Sequence, residues 1–392
     1  MKNKFPALRL CRYIFFLVLI FISGIVSAQE ATDLILGTPL ENQNIGVGTK
    51  LYYRIPVSAG AHLFALVKKE SGFGAYLSIA EGKPPSRGQM YSFSDQSVEL
   101  EVETEGYAYV LITFSQGSSG NPDNGTFTIT VHNETTFPSV PLGVPLEDQT
   151  FMHAGSVFYY GIPVSAGEHV FALLNKSAGF DTYLSIGEGQ IPRRASRASS
   201  SDQAVEMIAQ SDGYIYVRLE RKLEGNQSFT LTLHNEATFP RLDKGMSLAN
   251  QSLSHSQSAK WYQVDVDMGE HIVALIRKDL SFGSYSFMAE GQLPSRGSTH
   301  SFSDEALELK AETDGYVYIL IAFYQGSSTN PDNGTFTITV HNEITFPSVP
   351  LGVPLEDQTF MHTGSAFYYG IPVSAGEHVF ALLNKSAGFD TY

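Results

Sequence analysis

The sequence predicts an all-β protein: tandem antiparallel β-sandwich modules, jelly-roll-like, of about 105 residues each, preceded by a signal peptide. Three observations lead there. Marker segments return at a fixed period, the stretches between them are short β-type runs cut by Gly, Pro and Ser, and the first 28 residues have the layout of an export signal.

Two independent markers give the period. Residues 55–60 (IPVSAG) return at 162–167 and 371–376, with a degenerate copy at 264–269, and the closing glycines Gly60, Gly167, Gly269 and Gly376 stand 107, 102 and 107 residues apart. His-Asn-Glu recurs at His132, His234 and His341, each followed by Phe-Pro at Phe137, Phe239 and Phe346. These markers place modules at 29–138, 139–240 and 241–347, with a truncated fourth repeat at 348–392. A longer period is superimposed. Residues 118–183 and 327–392 differ at only four positions over an offset of 209, so odd modules resemble odd and even resemble even. Tyr392 matches Tyr183 in mid-module, and a continuation completing the fourth sandwich is expected.

Within module 1, runs at 50–57, 62–68, 75–80, 89–93, 98–103, 107–114 and 126–132 read as strands, and none sustains a helical period. The last run alternates Phe127, Ile129 and Val131 with threonines, which implies one face on a core and one in water. Residues 121–125 (NPDNG) suit a tight reversal. The Phe-Pro links are too short to act as long flexible tethers.

Lys2, Lys4, Arg9 and Arg12 precede an apolar run at 14–26 that closes on Val26-Ser27-Ala28, so 1–28 reads as a cleaved signal peptide. The run falls short of the roughly 20 residues a membrane span needs. The expected localisation is secreted, extracellular or cell-surface, with the periplasm as a further destination. The one cysteine, Cys11, lies inside the signal, which leaves no disulfide or thiolate site in the mature chain. Net charge is −15, and −19 once the four cations of the signal are gone; this balance disfavours nucleic acid and anionic lipid as partners.

No Gly-x-Ser-x-Gly elbow, His-Glu-x-x-His helix, phosphate loop or EF-hand is present, so no enzymatic activity is expected. Seven of the eleven histidines fall at two module positions: His62, His169, His271 and His378 near the glycine turn, and His132, His234 and His341 at the last strand. Two per module suit histidines that bond neighbouring turns better than a zinc site. No cofactor is expected apart from calcium, which takes oxygen ligands. Its candidate ligands are Asp123, Asn124, Asp332 and Asn333 in the NPDN turns, with Asp181 and Asp390; ordinary Asx turns are the competing reading. Tyrosine pairs recur, and adjacent strand residues point to opposite faces, so one ring of each pair is left for solvent. Tyr53, Tyr160 and Tyr369 are the candidate ligand-binding rings, with core or cross-strand packing as the favoured competing reading.

In module 2, Phe158-Tyr159-Tyr160, the segments 164–167 (VSAG), 179–184 (GFDTYL) and 212–217 (DGYIYV), and the final strand 228–234 follow one another in a characteristic order. In this order each module resembles the bacterial pre-peptidase C-terminal domain, a β-sandwich appended to secreted proteases and other exported proteins. The resemblance covers residues 34–392. It departs where the family has Asp-x-Tyr, kept as Asp181 and Asp390 but replaced by Gly74 and Gly283 in modules 1 and 3. No protease domain is expected ahead of the modules. The expected function is therefore a non-catalytic array that binds, adheres or spaces, with an extracellular polysaccharide or matrix protein as partner. The alternatives are an accessory region of a secreted hydrolase whose catalytic domain lies outside this chain, and a carbohydrate- or matrix-binding module.

Overall fold

A computed structural model describes residues 30–117, 123–223, 227–253, 258–280, 282–325 and 333–383. The expected signal peptide and the calcium candidates Asp332 and Asp390 lie outside the described residues. Among the described residues no helix is long and apolar enough to cross a membrane.

Module 1 consists of β1 (Thr32–Asp33), β2 (Leu40–Gly46), β3 (Lys50–Val57), β4 (His62–Lys69), β5 (Gly74–Glu81), β6 (Met90–Ser92), β7 (Gln96–Glu101), β8 (Gly106–Gln116) and β9 (Asn124–Asn133). They form two facing sheets, β2-β9-β4-β7 and β1-β3-β8-β5-β6. Strands from β2 to β5 alternate between the sheets, which is the interleaving of a jelly roll. Every ladder is antiparallel except the short β1–β3 pair.

Module 2 repeats the plan with β10 (Leu146–Thr150), β11 (Val157–Val164), β12 (His169–Lys176), β13 (Thr182–Glu188), β14 (Gln203–Ile208), β15 (Gly213–Arg221) and β16 (Ser228–Asn235). Module 3 repeats it with β17 (Ser247–Leu253), β18 (Ala259–Val266), β19 (His271–Lys278), β20 (Gly283–Glu290), β21 (Glu305–Lys310), β22 (Gly315–Gln325) and β23 (Gly334–His341). In each, a four-stranded sheet (β10-β16-β12-β14; β17-β23-β19-β21) faces a three-stranded one (β11-β15-β13; β18-β22-β20). The counterpart of β6 shrinks to a single bridge, Thr182–Ser199 or Ser284–Ser301. Residues 342–383 carry turns and the bridge Ser348–Gly370 but no ladder strand.

Each sandwich has its own core. In module 1, Leu63, Ala65 and Val67 of β4 meet Ala108, Val110 and Ile112 of β8 from the opposite sheet, and Phe127, Ile129 and Val131 close the layer. The period-2 pattern of β9 is what puts those three residues inside and leaves Thr126, Thr128 and Thr130 half-buried on the outer face. The edge strands β2, β10 and β17 were not foreseen. They are polar and bulged, and Asn42, Asp148 and Asn250 turn the chain at φ of 55°, 52° and 56° beside each register shift.

Candidate functional site

The feature repeated most faithfully is the joint between modules. β4 buries both faces: Leu63, Ala65 and Val67 point into the core of module 1, while Phe64 and Leu66 point outward and pack on Val157 and Tyr159 of β11 and Tyr216 of β15. Phe137 of the Phe-Pro link is the plug, with its ring 4.8 Å from Phe64 and 5.1 Å from Tyr216 in edge-on contacts. Joint 2/3 copies this arrangement with Phe171, Leu173, Phe239, Ala259, Trp261 and Tyr318. The four-stranded sheet of one module thus stacks on the β11-type sheet of the next.

A buried aspartate stitches each joint. Asp95 accepts the Lys69 N–H on Oδ1 at 2.8 Å and the Val157 N–H of module 2 on Oδ2 at 2.9 Å, and its own N–H donates to Gly155 O. Asp202 does the same for Lys176 N–H and Ala259 N–H (2.8 and 3.0 Å), and Asp304 for Lys278 N–H and Ala366 N–H (2.8 and 3.0 Å). One carboxylate therefore closes a backbone gap in two modules at once. The three lysines are buried with their ammonium groups over Phe73, Phe180 and Phe282. Lys69 Nζ donates to Phe73 O and Ser92 O, both at 2.8 Å, and Lys176 Nζ to Phe180 O and Ser199 O. Burial, against the pull of Asp95 and Asp202, lowers both ammonium pKa values to about 7.

Histidines complete the joint. His153 of module 2 lies with Nδ1 2.7 Å from Ala154 O and Nε2 2.7 Å from Lys69 O, 3.3 Å from Asp95. His362 repeats this on Lys278 O at 2.6 Å. His62 contacts Glu99 (3.2 Å), and Glu99 accepts the Ile191 N–H of module 2; His169 contacts Glu206, and Glu206 accepts the Leu293 N–H of module 3. Glu134 and Glu236 approach these two rings from the opposite nitrogen, at 3.8 and 3.5 Å, so one metal ion cannot collect both carboxylates and the ring. His132, His234 and His341 each bond a turn carbonyl (Thr136, Thr238 and Thr345 O, 2.7–2.8 Å).

The sequence-derived ligand rings are displaced inward. Tyr53 is 1% exposed and Tyr160 8%, both in module cores, because strand alternation turns the second ring of each pair toward the facing sheet. Tyr53 Oη donates to Gln43 Oε1 at 3.2 Å. The other ring is no freer in module 2, where Tyr159 lies in the joint. Tyr369 is 38% exposed, in a segment without ladder strands, and donates to Gln358. None of the three forms an open platform with the others.

The calcium candidates do not converge. Asp123 and Asn124 belong to module 1, where Asp123 O accepts the Val47 N–H and Asn124 pairs with Gly46 in the β2–β9 ladder. Asp181 belongs to module 2 and pairs with Lys222 at 3.1 Å. Asn333 is exposed at the entry to β23. Among the described residues no group of three His, Cys, Asp or Glu side chains is placed to hold a metal ion.

The structure brings forward exposed rings that sequence reasoning missed. In module 1, Tyr76, Tyr91 and Phe93 cluster on the outer face of β5–β6, with centroids 4.9 and 5.7 Å apart. In module 3, Tyr285, His300, Phe302 and Tyr324 cluster at the matching place, His300 stacked on Tyr324 at 3.7 Å. Module 2 has Ala198 and Ser200 where module 1 has Tyr91 and Phe93. The odd-even difference at 74, 181 and 283 follows. A Cβ on Gly74 would sit 2.6 Å from Tyr91 Oη, and one on Gly283 2.7 Å from Tyr324, so only glycine lets these rings lie across the strand. With no such rings, module 2 keeps Asp181.

No family model and no curated sequence matches the chain. Similar solved structures include the CUB1-EGF-CUB2 domain of human MASP-1/3 (9% identity, 51% of this chain, 98% of that chain, TM-score 0.18). Another is the atomic structure of Sulfolobus Turreted Icosahedral Virus (12%, 77% and 84%, TM-score 0.21). A third is the M60 catalytic domain with CBM51-1 and CBM51-2 from Clostridium perfringens ZmpB (6%, 76% and 34%, TM-score 0.17). Such TM-scores carry no argument about this chain's activity.

Proposed function

We propose that the chain is a non-catalytic, exported array of modules like the pre-peptidase C-terminal domain, stacked stiffly so as to space or present a binding surface outside the cell. The observation that carries this reading is the joint aspartate. Asp95, Asp202 and Asp304 each bond the backbone of two successive modules, at near-identical distances. A flexible string would have no use for a buried carboxylate that is satisfied only when both modules are in register, because an unmet buried acceptor of this kind costs about 1–3 kcal/mol or more. Apolar packing of Phe64, Phe137 and Tyr216 around it adds a second constraint on the same orientation.

Small-angle scattering of the chain tests this. A stiff array gives a single elongated particle whose maximum dimension is stable between about 0.1 and 0.5 M salt, since the charged groups of the joints are buried and little screened. A broad distribution of sizes, as from modules moving independently, would sink the reading.

A further inference from the structure

Three loops occupy the same place in successive modules, at 82–94 after β5, 189–201 after β13 and 291–303 after β20. Together they hold six basic side chains (Lys83, Arg87, Arg193, Arg194, Arg197 and Arg296) and not one Asp or Glu, in a chain with 40 acids and 25 bases. In sequence these loops are acid-free and basic at every period; in space Glu99 and Glu206 bond the Ile191 and Leu293 N–H groups and Glu220 lies beside Arg194, so the positive edge is carried by Lys83, Arg87, Arg193 and Arg197.

Contacts join the loops end to end. Ser94, closing the first loop, donates to Glu220, and Glu220 also lies 3.6 Å from the Arg194 guanidinium in the second. Ser201, closing the second, accepts from Arg296 Nη1 in the third at 3.0 Å. The cleft of about 540 Å³ at this meeting point takes in Asp202 and Glu206 beside Ser199, Ser201, Trp261 and Arg296, and so is no part of the basic edge. The exposed rings flank the strip at both ends: Tyr91 and Phe93 (both 43% exposed) in module 1, Phe302 and Tyr324 (39% and 38%) in module 3.

We propose that this strip binds an extended anionic polysaccharide of the uronate type. Its carboxylates meet the guanidinium and ammonium groups, and its pyranose C–H faces lie on the exposed rings. The occupant follows from charge complementarity and from the reading of the chain as an exported array. The extended polyanions such an array meets outside the cell are polysaccharides, and a uronate polymer offers carboxylates to the cations and pyranose C–H faces to the rings. The proposal rests on the array reading, since the strip is continuous only while the joints hold, and two ring clusters on one stiff body gain from simultaneous engagement.

The experiment uses the full chain in affinity gel electrophoresis with polygalacturonate, neutral dextran, single-stranded DNA and, by flotation, phosphatidylglycerol vesicles. Polygalacturonate is expected to retard the protein in a salt-sensitive way and dextran not at all. R193S/R197S and K83S/R87S should each weaken retardation about tenfold, and Y91S/F93S comparably, with unchanged melting and scattering curves. No retardation by polygalacturonate, or retardation indifferent to these substitutions, overturns the proposal. Tighter binding of DNA or vesicles that the same variants abolish overturns the polysaccharide assignment. A scattering curve that stays rod-like in either case leaves the array reading standing, and loose modules defeat that reading instead.

Discussion

β4 and β9 lie side by side in one sheet, in register from Leu63–Asn133 to Lys69–Phe127, and yet they are written differently. β9 alternates strictly, Phe127, Ile129 and Val131 inward against half-buried threonines outward. β4 does not alternate: Leu63, Phe64, Ala65, Leu66 and Val67 are all buried. The two strands share an inner environment and differ only in what covers the outer face. β9 meets solvent, and β4 meets module 2. An antiparallel sandwich strand that loses its polar phase has therefore acquired a second buried face, and β12 and β19 repeat the same unbroken pattern through Phe171 and Leu173, and Val273 and Leu275.

The sharpest test of this contrast is Phe64→Ala against Thr128→Ala. Phe64 lies wholly in the joint cluster, so its loss should cost the module 1–2 coupling about 3–5 kcal/mol while each separate core stays packed. Thr128→Ala should shift stability by no more than about 0.5 kcal/mol. Chemical denaturation followed by scattering reads both, and equal effects would break the comparison. Asp95→Ala comes next. It strands the N–H groups of Lys69 and Val157, and about 2–4 kcal/mol of coupling should go, some of the penalty being relieved by entering water. Gly74→Asp imposes the even-module residue on module 1. The new Cβ meets Tyr91 Oη at 2.6 Å, so this exposed ring must swing away, at a cost of no more than about 0.5 kcal/mol. Tyrosine fluorescence and polymer retardation should change together in that variant, while the joint is untouched.

The sequence made the seven runs of module 1 legible because alternation of β-branched and aromatic residues with polar ones is local. Predicted 50–57 is β3 itself, and 126–132 lies within β9. β2 was illegible for a physical reason: it is a polar edge strand, and Asn42 at φ 55° breaks the period that reveals strands. The joint was written in the unbroken run of β4 and in the recurring Phe-Pro, but a sandwich reading gives every apolar residue to its own core, so Phe64 and Phe137 had no separate place. The tyrosine pairs signalled one ring inward correctly, and Tyr53 and Tyr160 turned out to be that ring. The exposed clusters did leave a trace, since Gly74 and Gly283 accompany rings at 91 and 93 and at 300 and 302 while Asp181 accompanies none.

The smallest expected effect concerns pH at the joint. Both ring nitrogens of His153 face carbonyl oxygens at 2.7 Å, and both can donate only in the imidazolium form. Burial opposes that charge, but the Asp95 carboxylate and the carbonyls of Ala154 and Lys69 outweigh it and raise the pKa above 6.5. A histidine raised in the folded state contributes stability that is complete below its unfolded pKa and disappears as pH climbs through the folded value. Burial lowers His132, His234 and His341 instead, so those three remove stability as pH falls below about 6.5, and the total curve mixes both signs. The difference between wild type and His153→Gln isolates the joint. That gap in melting temperature should widen from pH 8 to pH 5.5 by about 2–4 °C for each kcal/mol of pairing in a unit of two coupled modules. A gap that stays constant across this range would mean the ring is neutral and that one of its two carbonyl contacts is no hydrogen bond, leaving the register to Asp95, Glu99 and the apolar packing around Phe137.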